Sequence, residues 1–393
     1  MFTDLNMSVT HESCDCDRYH PKSLLNQAAA SMVKSIPSPK RFKILDDSLK
    51  LSASMQIEII NCLFKERRLK ALYNFIKSQE VWEKLLIDES YKIVPLYKIH
   101  KGLCDGGIGS IYNEIIDGVV SELCSRRRCP SEVAEYCVIP LNLASHLIDS
   151  GQFIDAVKLL EDVYDCLDVV VSQKRVTSTV RRSMGDVRIL TIICLFNAYN
   201  SLLWYQKSRA MYTARTLTLH LIHDQNIAAA FLTECSRFCL IDGEILAAHK
   251  HAQDALTCCN NSGVHLRVFV NALRQATYTY MRVGKVQLAR FTVIQALTIS
   301  YHLWRTDPVH PGCHTCGDCM DSILFADTLL DYAEYLKEID RYYEASKIFD
   351  AVARVSDCFL FLNYFFWVVM QPYLIYYYHV ALLLGYVNKI TRR

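Results

Sequence analysis

From residue 50 onward, apolar positions recur with a helical period. Leu51, Met55, Ile59, Leu63 and Leu69 follow one another at four- and six-residue steps, while Glu58, Lys65, Arg67 and Arg68 populate the other faces. The spacing predicts an amphipathic helix over 51–69 and a second over 72–86. The single Gly-rich stretch, within 101–110, reads as a linker.

Beyond residue 130 a longer pattern repeats. A small residue stands in a first helix and a bulky one three later. A turn follows, then an aromatic or aliphatic residue, an Ala three further on, and two more apolar or small residues in a second helix. One copy is Ala144, Leu147, Gly151, Phe153, Ala156, Leu160 and Val163; the next is Ser236, Cys239, Gly243, Ile245, Ala248, Ala252 and Ala255. Two more are Thr277, Tyr280, Gly284, Val286, Ala289, Val293, Ala296 and Ala333, Leu336, Asp340, Tyr342, Ala345, Phe349, Val352. Two antiparallel helices approach closely only where small residues face each other, and Gly or Asp at the turn tolerates the left-handed backbone that ends the first helix. This is the tetratricopeptide pattern, without the Trp and final Pro of its consensus. The expected fold is therefore all-α, a tetratricopeptide-like helical-repeat solenoid with an N-terminal helical adaptor-binding segment. The interval between the first two copies leaves room for one more helix pair in 188–223.

Composition narrows the function classes. With 13 Gly and 9 Pro in 393 residues, a turn-rich β fold is disfavoured, and 51% hydrophobic with 21% charged residues is globular composition. Lys and Arg number 43 against 41 Asp and Glu, a net charge of +2 that offers no broad basic field to nucleic acid. Arg126, Arg127, Arg128 and the pair Arg181, Arg182 read as solvated helix ends or loops rather than a nucleic-acid stripe. The odd total of 17 Cys, many on helix faces, suits free thiols in a reducing compartment. Residues 1–20 hold no apolar run, so no secretory leader is expected, and 1–40 read as a disordered leader ending in Ser-Ile-Pro-Ser-Pro-Lys. The domains expected are then 1–40, a helical adaptor-docking region over 45–130, repeats over 131–357 and an apolar segment over 358–393.

Candidate chemistry is sparse. Cys313, Cys316 and Cys319, flanked by His310 and His314, have zinc-compatible spacing but lack a second closely spaced pair; a loop of metal-free thiols is the reading taken, with structural zinc, or a zinc enzyme, as alternatives. Residues 104–110 lack the Gly-Lys-Ser/Thr ending of a phosphate-binding loop. No Cys/His or Ser/His/Asp signature is present, so the chain is expected not to be an enzyme, to hold no metal or cofactor, and to have no catalytic residue. Residues 358–387 contain no Asp, Glu, Lys or Arg, long enough to span a bilayer, with Lys389, Arg392 and Arg393 following. Asn363, Gln371, Pro372 and His379 weaken a span, and a buried repeat helix or a C-terminus produced by alternative splicing or an unremoved intron are the competing readings.

Several stretches resemble the amyloid precursor protein-binding protein 2 family, tetratricopeptide substrate receptors of elongin-containing cullin-RING ubiquitin ligases. They are Leu51-Ser-Ala-Ser-Met-Gln-Ile-Glu-Ile, Ser125-Arg-Arg-Arg-Cys129, Asp149-Ser-Gly-Gln-Phe-Ile-Asp-Ala156, Leu273-Arg-Gln-Ala276, His310-Pro311 and Asp327-Thr-Leu-Leu-Asp-Tyr332, in order across about residues 45–355. The resemblance implies a non-catalytic receptor whose N-terminal helices dock on elongin B/C and a cullin, and whose repeats capture substrate C-termini ending in glycine. It also implies binding to the amyloid precursor tail and to microtubules, in the cytoplasm or nucleus. Carried over, Leu51, Met55, Ile59 and Leu63 supply the adaptor contact, the substrate-binding residues staying unassigned. The elongin-box pattern departs here, Ala53 standing where Cys is usual. The Cys313–Cys319 loop is an insertion relative to the family, and the apolar segment stands where the family continues with further repeats. A membrane-anchored or microtubule-associated adaptor in protein transport is the alternative function, membrane contact being made by 358–387.

Overall fold

The computed structural model describes residues 29, 53–87, 96–171, 178–214, 218–220, 222–260, 263–305 and 320–356. Leu51, the Cys313–Cys319 loop and the apolar segment 358–387 lie outside the described residues, as do 1–40 apart from Ala29. The described residues form helices and no strand, so the chain is all-α. None of these helices is long and apolar enough to cross a membrane.

In order they are α1 (Ala53–Lys65), α2 (Leu69–Ile76), α3 (Gln79–Ile87), α4 (Leu96–Asp105), α5 (Tyr112–Ser125), a short 3-10 turn (Arg126–Arg128), α6 (Pro130–Tyr136), α7 (Val138–Asp149) and α8 (Phe153–Val171). There follow α9 (Ser178–Ser201), α10 (Tyr205–Thr213), α11 (Gln225–Ile241), α12 (Ile245–Cys259), α13 (Leu266–Arg282), α14 (Val286–Arg305), α15 (Met320–Glu338) and α16 (Tyr342–Ser356). The chain divides into two compact units that interleave along the sequence. One comprises Met1–Ala144, Lys158–Ile192 and His302–Ile323; the other comprises Ser145–Val157, Ile193–Tyr301 and Leu324–Arg393.

In the first unit the helix expected over 51–69 ends at Lys65, Arg67 at φ 54° turns the chain and Leu69 opens α2, while the helix expected over 72–86 is broken at Lys77 and Ser78 into α2 and α3. Leu72, Phe75 and Ile76 are buried, and so are Val81, Trp82 and Leu85. Nine residues make about two and a half helical turns, so an unbroken helix would set Val81 opposite Leu72. The break lets both groups reach the core. The expected linker is also corrected: Gly102 lies inside α4 and Gly107, at φ 69°, caps it. A Cβ on Gly102 would stand 2.9 Å from the Phe64 ring, and one on Gly118 would stand 3.2 Å from Trp82. These glycines are used for close helix approach, not for flexibility.

The second unit is built on one recurring turn. After each first helix a residue adopts positive φ: Gly151 (67°), Leu203 (55°), Gly243 (82°), Gly284 (75°) and Asp340 (62°). The next amide then reaches back five residues, from Gln152 to the Leu147 carbonyl (2.8 Å), Trp204 to Tyr199 (2.9 Å), Glu244 to Cys239 (2.8 Å), Lys285 to Tyr280 (2.8 Å) and Arg341 to Leu336 (2.9 Å). Each is a six-to-one helix closure that satisfies an otherwise orphaned carbonyl and turns the chain back. The four expected turns are present.

The pair anticipated in 188–223 is α9 and α10. Phe196 stands at the small first-helix position, Leu203 replaces the turn glycine and Ser208 takes the Ala position, so the pattern is hidden. Elsewhere the crossings hold small residues. Ser236 Oγ donates to the Ala248 carbonyl (2.9 Å) across α11 and α12, and the Thr277 and Thr292 hydroxyls meet at 2.9 Å across α13 and α14. Ala252, Ala276, Ala289 and Ala345 are buried in one cluster with Tyr335 and Leu336. Ser208 is buried and its hydroxyl has no partner. Ser208→Ala is therefore expected to raise stability by about 1 kcal/mol, since it removes an unsatisfied buried donor and improves helix propensity; denaturant titration of both chains checks it.

Candidate functional site

The first helices of the second unit carry polar side chains that bond from one pair to the next. Asn200 of α9 donates its Nδ2 to the Glu234 carboxylate (3.0 Å) and to the Glu234 carbonyl (3.3 Å) on α11. Arg237, also on α11, donates to Ser201 Oγ at 3.2 Å and stands 3.8 Å from Glu234. From α13, Gln275 Nε2 donates to Ser236 Oγ (3.3 Å), whose hydroxyl also meets that of Thr279 (3.2 Å). Arg274 is paired with Asp331 and reaches Asp327 at 3.4 Å on α15, while the Tyr278 hydroxyl donates to Asp331 at 2.6 Å. The result is a polar seam running α9, α11, α13, α15.

Its charges are held by one another and by burial, while Asn200 Oδ1 is buried without a hydrogen-bond partner. Burial raises the Glu234 carboxyl above its ordinary value, with Arg237 and Asn200 pulling it down. Burial likewise raises Asp327, against Arg274. For Arg274 burial alone would favour the neutral form, but Asp331 and Asp327 outweigh it and hold the cation. Tyr278 is kept protonated by burial and by Asp331. These side chains hydrogen-bond one another across successive first helices.

The described residues hold no group of three His, Cys, Asp or Glu side chains placed to bind a metal. A shallow concavity on α14 is lined by Gln287, Arg290, Phe291, Ile294 and Gln295, with no acid, base or nucleophile of catalytic type. No disulfide joins the described cysteines, and burial pushes Cys137 up to about 12 and Cys259 up to about 11, so both stay protonated at neutral pH.

No family model matches the chain, and no curated protein does.

The residues singled out in the sequence fall as follows. Met55 is half-buried, while Ile59 and Leu63 lie in the core of their own unit with 2% and 0% of their surface exposed. That side of α1 packs within its own unit. Of the Arg126–Arg128 run read as solvated, Arg126 bonds Glu122 and lies 4.6 Å from the Tyr136 ring, and Arg127 donates to Cys166 Sγ at 3.3 Å. Two of the three are thus engaged by their own unit, because the 3-10 turn folds them back onto α5, α6 and α8. The seam was not anticipated. Its only sequence signal is polar residues at a small set of first-helix positions, such as Glu234, Gln275 and Asp331 nine residues before each turn.

His249 Nε2 of α12 accepts a hydrogen bond from Lys285 Nζ at the next turn (2.9 Å). Burial, and secondarily Lys285, hold its imidazole below the ordinary 6.5. The unfolded chain therefore takes up this proton first, so stability is full above about pH 6.5 and falls as pH drops towards the folded-state value. His249→Gln is expected to remove a small part of the stability lost between neutral and mildly acidic pH, measured as the difference in melting temperature between the two chains across that range.

Proposed function

We propose that the chain is a non-catalytic protein-binding scaffold, with its hairpins stacked as a tetratricopeptide-like solenoid, serving as substrate receptor of an elongin B/C cullin-RING ubiquitin ligase. The observation that carries the reading is the recurrence of one capped turn, five times in one unit, with the first helices α9, α11, α13 and α15 of four of these hairpins bonded laterally through polar side chains. Stacked helix pairs make extended binding surfaces, in which affinity comes from many contacts and no residue performs chemistry. The resemblance of the 327–332 and 273–276 runs to the amyloid precursor protein-binding protein 2 family supplies the ligase context. In this reading the 45–130 region meets elongin B/C and the cullin through residues other than Ile59 and Leu63, and the repeats take substrate C-termini, the amyloid precursor tail among them.

Mixing the purified full chain with elongin B/C and then a cullin tests it. Co-elution of the three, with loss of the complex on deleting 45–130, is the expected result; free elongins would overturn the ligase role while leaving a scaffold. A membrane-anchored or microtubule-associated transport adaptor is the second reading, favoured by the thirty uncharged residues 358–387. Release of the full chain from membranes by carbonate would remove the anchored form.

A further inference from the structure

Large apolar side chains exposed in the second unit concentrate at its hairpin turns. At the α9–α10 turn they are Leu203, Trp204 and Tyr205; at α11–α12, Ile241, Ile245 and Leu246; at α13–α14, Val286 and Leu288. Leu203 is 69% exposed and Leu246 79%, so neither is held by packing. Leu203 also sits at φ 55°, where two neighbouring turns have Gly. A β-carbon in left-handed backbone is strained, and strain kept without any packing return points to a role outside the fold. The turns adjoin one another: the Tyr205 hydroxyl donates to Asp242 of the next turn, and His249 of α12 meets Lys285 of the one after.

Charge selects what this edge would meet. Lys207 Nζ lies 4.8 Å from the Trp204 ring and 5.1 Å from Tyr199, and the Arg209 guanidinium is 5.4 Å from Tyr205. Residues 199–209 contain these two cations and no acid, and 282–291 contain Arg282, Lys285 and Arg290 and no acid. Against these five stand Asp242, which takes the Tyr205 hydroxyl, and Glu244. Protruding Leu and Ile, flanked by Trp and Tyr rings with cations laid on them, match the layers of a bilayer interface. The apolar tips enter the acyl boundary, the rings stay at headgroup level, and the cations meet lipid phosphates and carboxylates.

We infer that these three consecutive turns form a peripheral docking edge for membrane surfaces rich in anionic phospholipid. The edge is independent of residues 358–387 and of the receptor role. Sedimentation of the full chain with vesicles of phosphatidylcholine alone, and of phosphatidylcholine mixed with phosphatidylserine, tests it. The full chain is expected to bind the mixed vesicles roughly ten-fold more tightly than the neutral ones, and less at high salt. Leu203→Asp combined with Leu246→Asp, and separately Lys207→Glu with Arg209→Glu, are each expected to lower that binding by roughly ten-fold; the first pair leaves the melting temperature unchanged, as Asp340 already occupies the position equivalent to Leu203, and the second lowers it only by the lost ring contacts. Four results overturn the proposal: no binding to either vesicle, equal binding to both, variants that bind like the parent because 358–387 inserts instead, or a dimer in solution that the Leu203 variant dissociates.

Discussion

Arg274→Met is expected to lower the stability of the second unit by about 3–5 kcal/mol, the cost of leaving buried charge without its partner. Asp331 is 3% exposed and receives both Arg274 and the Tyr278 hydroxyl, while Asp327 leans on Arg274 from the preceding turn of α15. With the guanidinium gone, Asp331 keeps one neutral donor, and the rise that burial gives the Asp327 carboxyl is no longer opposed by the cation. The Asp327 share of the loss should therefore shrink as pH falls, because a protonated carboxyl needs no cation. Arg274→Met combined with Asp331→Leu should recover a good part of it, since an apolar pair replaces a broken ionic one. Chemical denaturation of the parent, single and double variants at neutral and acidic pH reads all of these. A single-variant loss below about 1 kcal/mol would mean that the cluster is hydrated in solution and that α13 and α15 are held by apolar packing alone.

Phe238→Ala is the second large effect, expected at about 3–5 kcal/mol. The ring is buried in α11 and meets Phe196 at 6.1 Å, Tyr205 at 5.8 Å and Tyr212 at 5.1 Å, so it is the ring on which α9 and α10 both rest. A cavity there should loosen α10 first, seen as faster amide exchange over Tyr205–Thr213 than over α13. Phe291→Ala, at an exposed ring on α14, is the control and should change stability by less than about 0.5 kcal/mol. Equal exchange in α10 before and after Phe238→Ala would show that the α9–α10 pair is held independently of α11.

The contrast between α9–α10 and its neighbours marks how far the chain could be read. Gly151, Gly243, Gly284 and Asp340 announce their turns because the conformation each must adopt is one that Gly and Asp tolerate. Leu203 adopts it too, and a leucine announces nothing. Likewise Ala248, Ala252 and Ala289 mark close crossings, whereas Ser208 fills an Ala position with its hydroxyl unpartnered and Phe196 occupies a small-residue position opposite room that other rings share. The polar seam was illegible for a different reason. Arg274 and Asp331 are 57 residues apart, and nothing local says that they meet.

What the amino-acid sequence determined by itself is therefore what neighbours along a helix determine. The all-α class, the amphipathic first helix and four hairpin turns follow from period, small residues and turn residues, all acting within a few residues of one another. Tertiary structure decided which apolar face is covered and by what. It put Ile59 and Leu63 inside their own unit, turned Gly102 from a linker residue into a contact with Phe64, and brought Asp327 and Asp331 to one arginine. It also left Leu203 and Leu246 in water. The period of a helix says that a face is apolar; only the packing of distant segments says whether that face is spent on the core or kept for a partner.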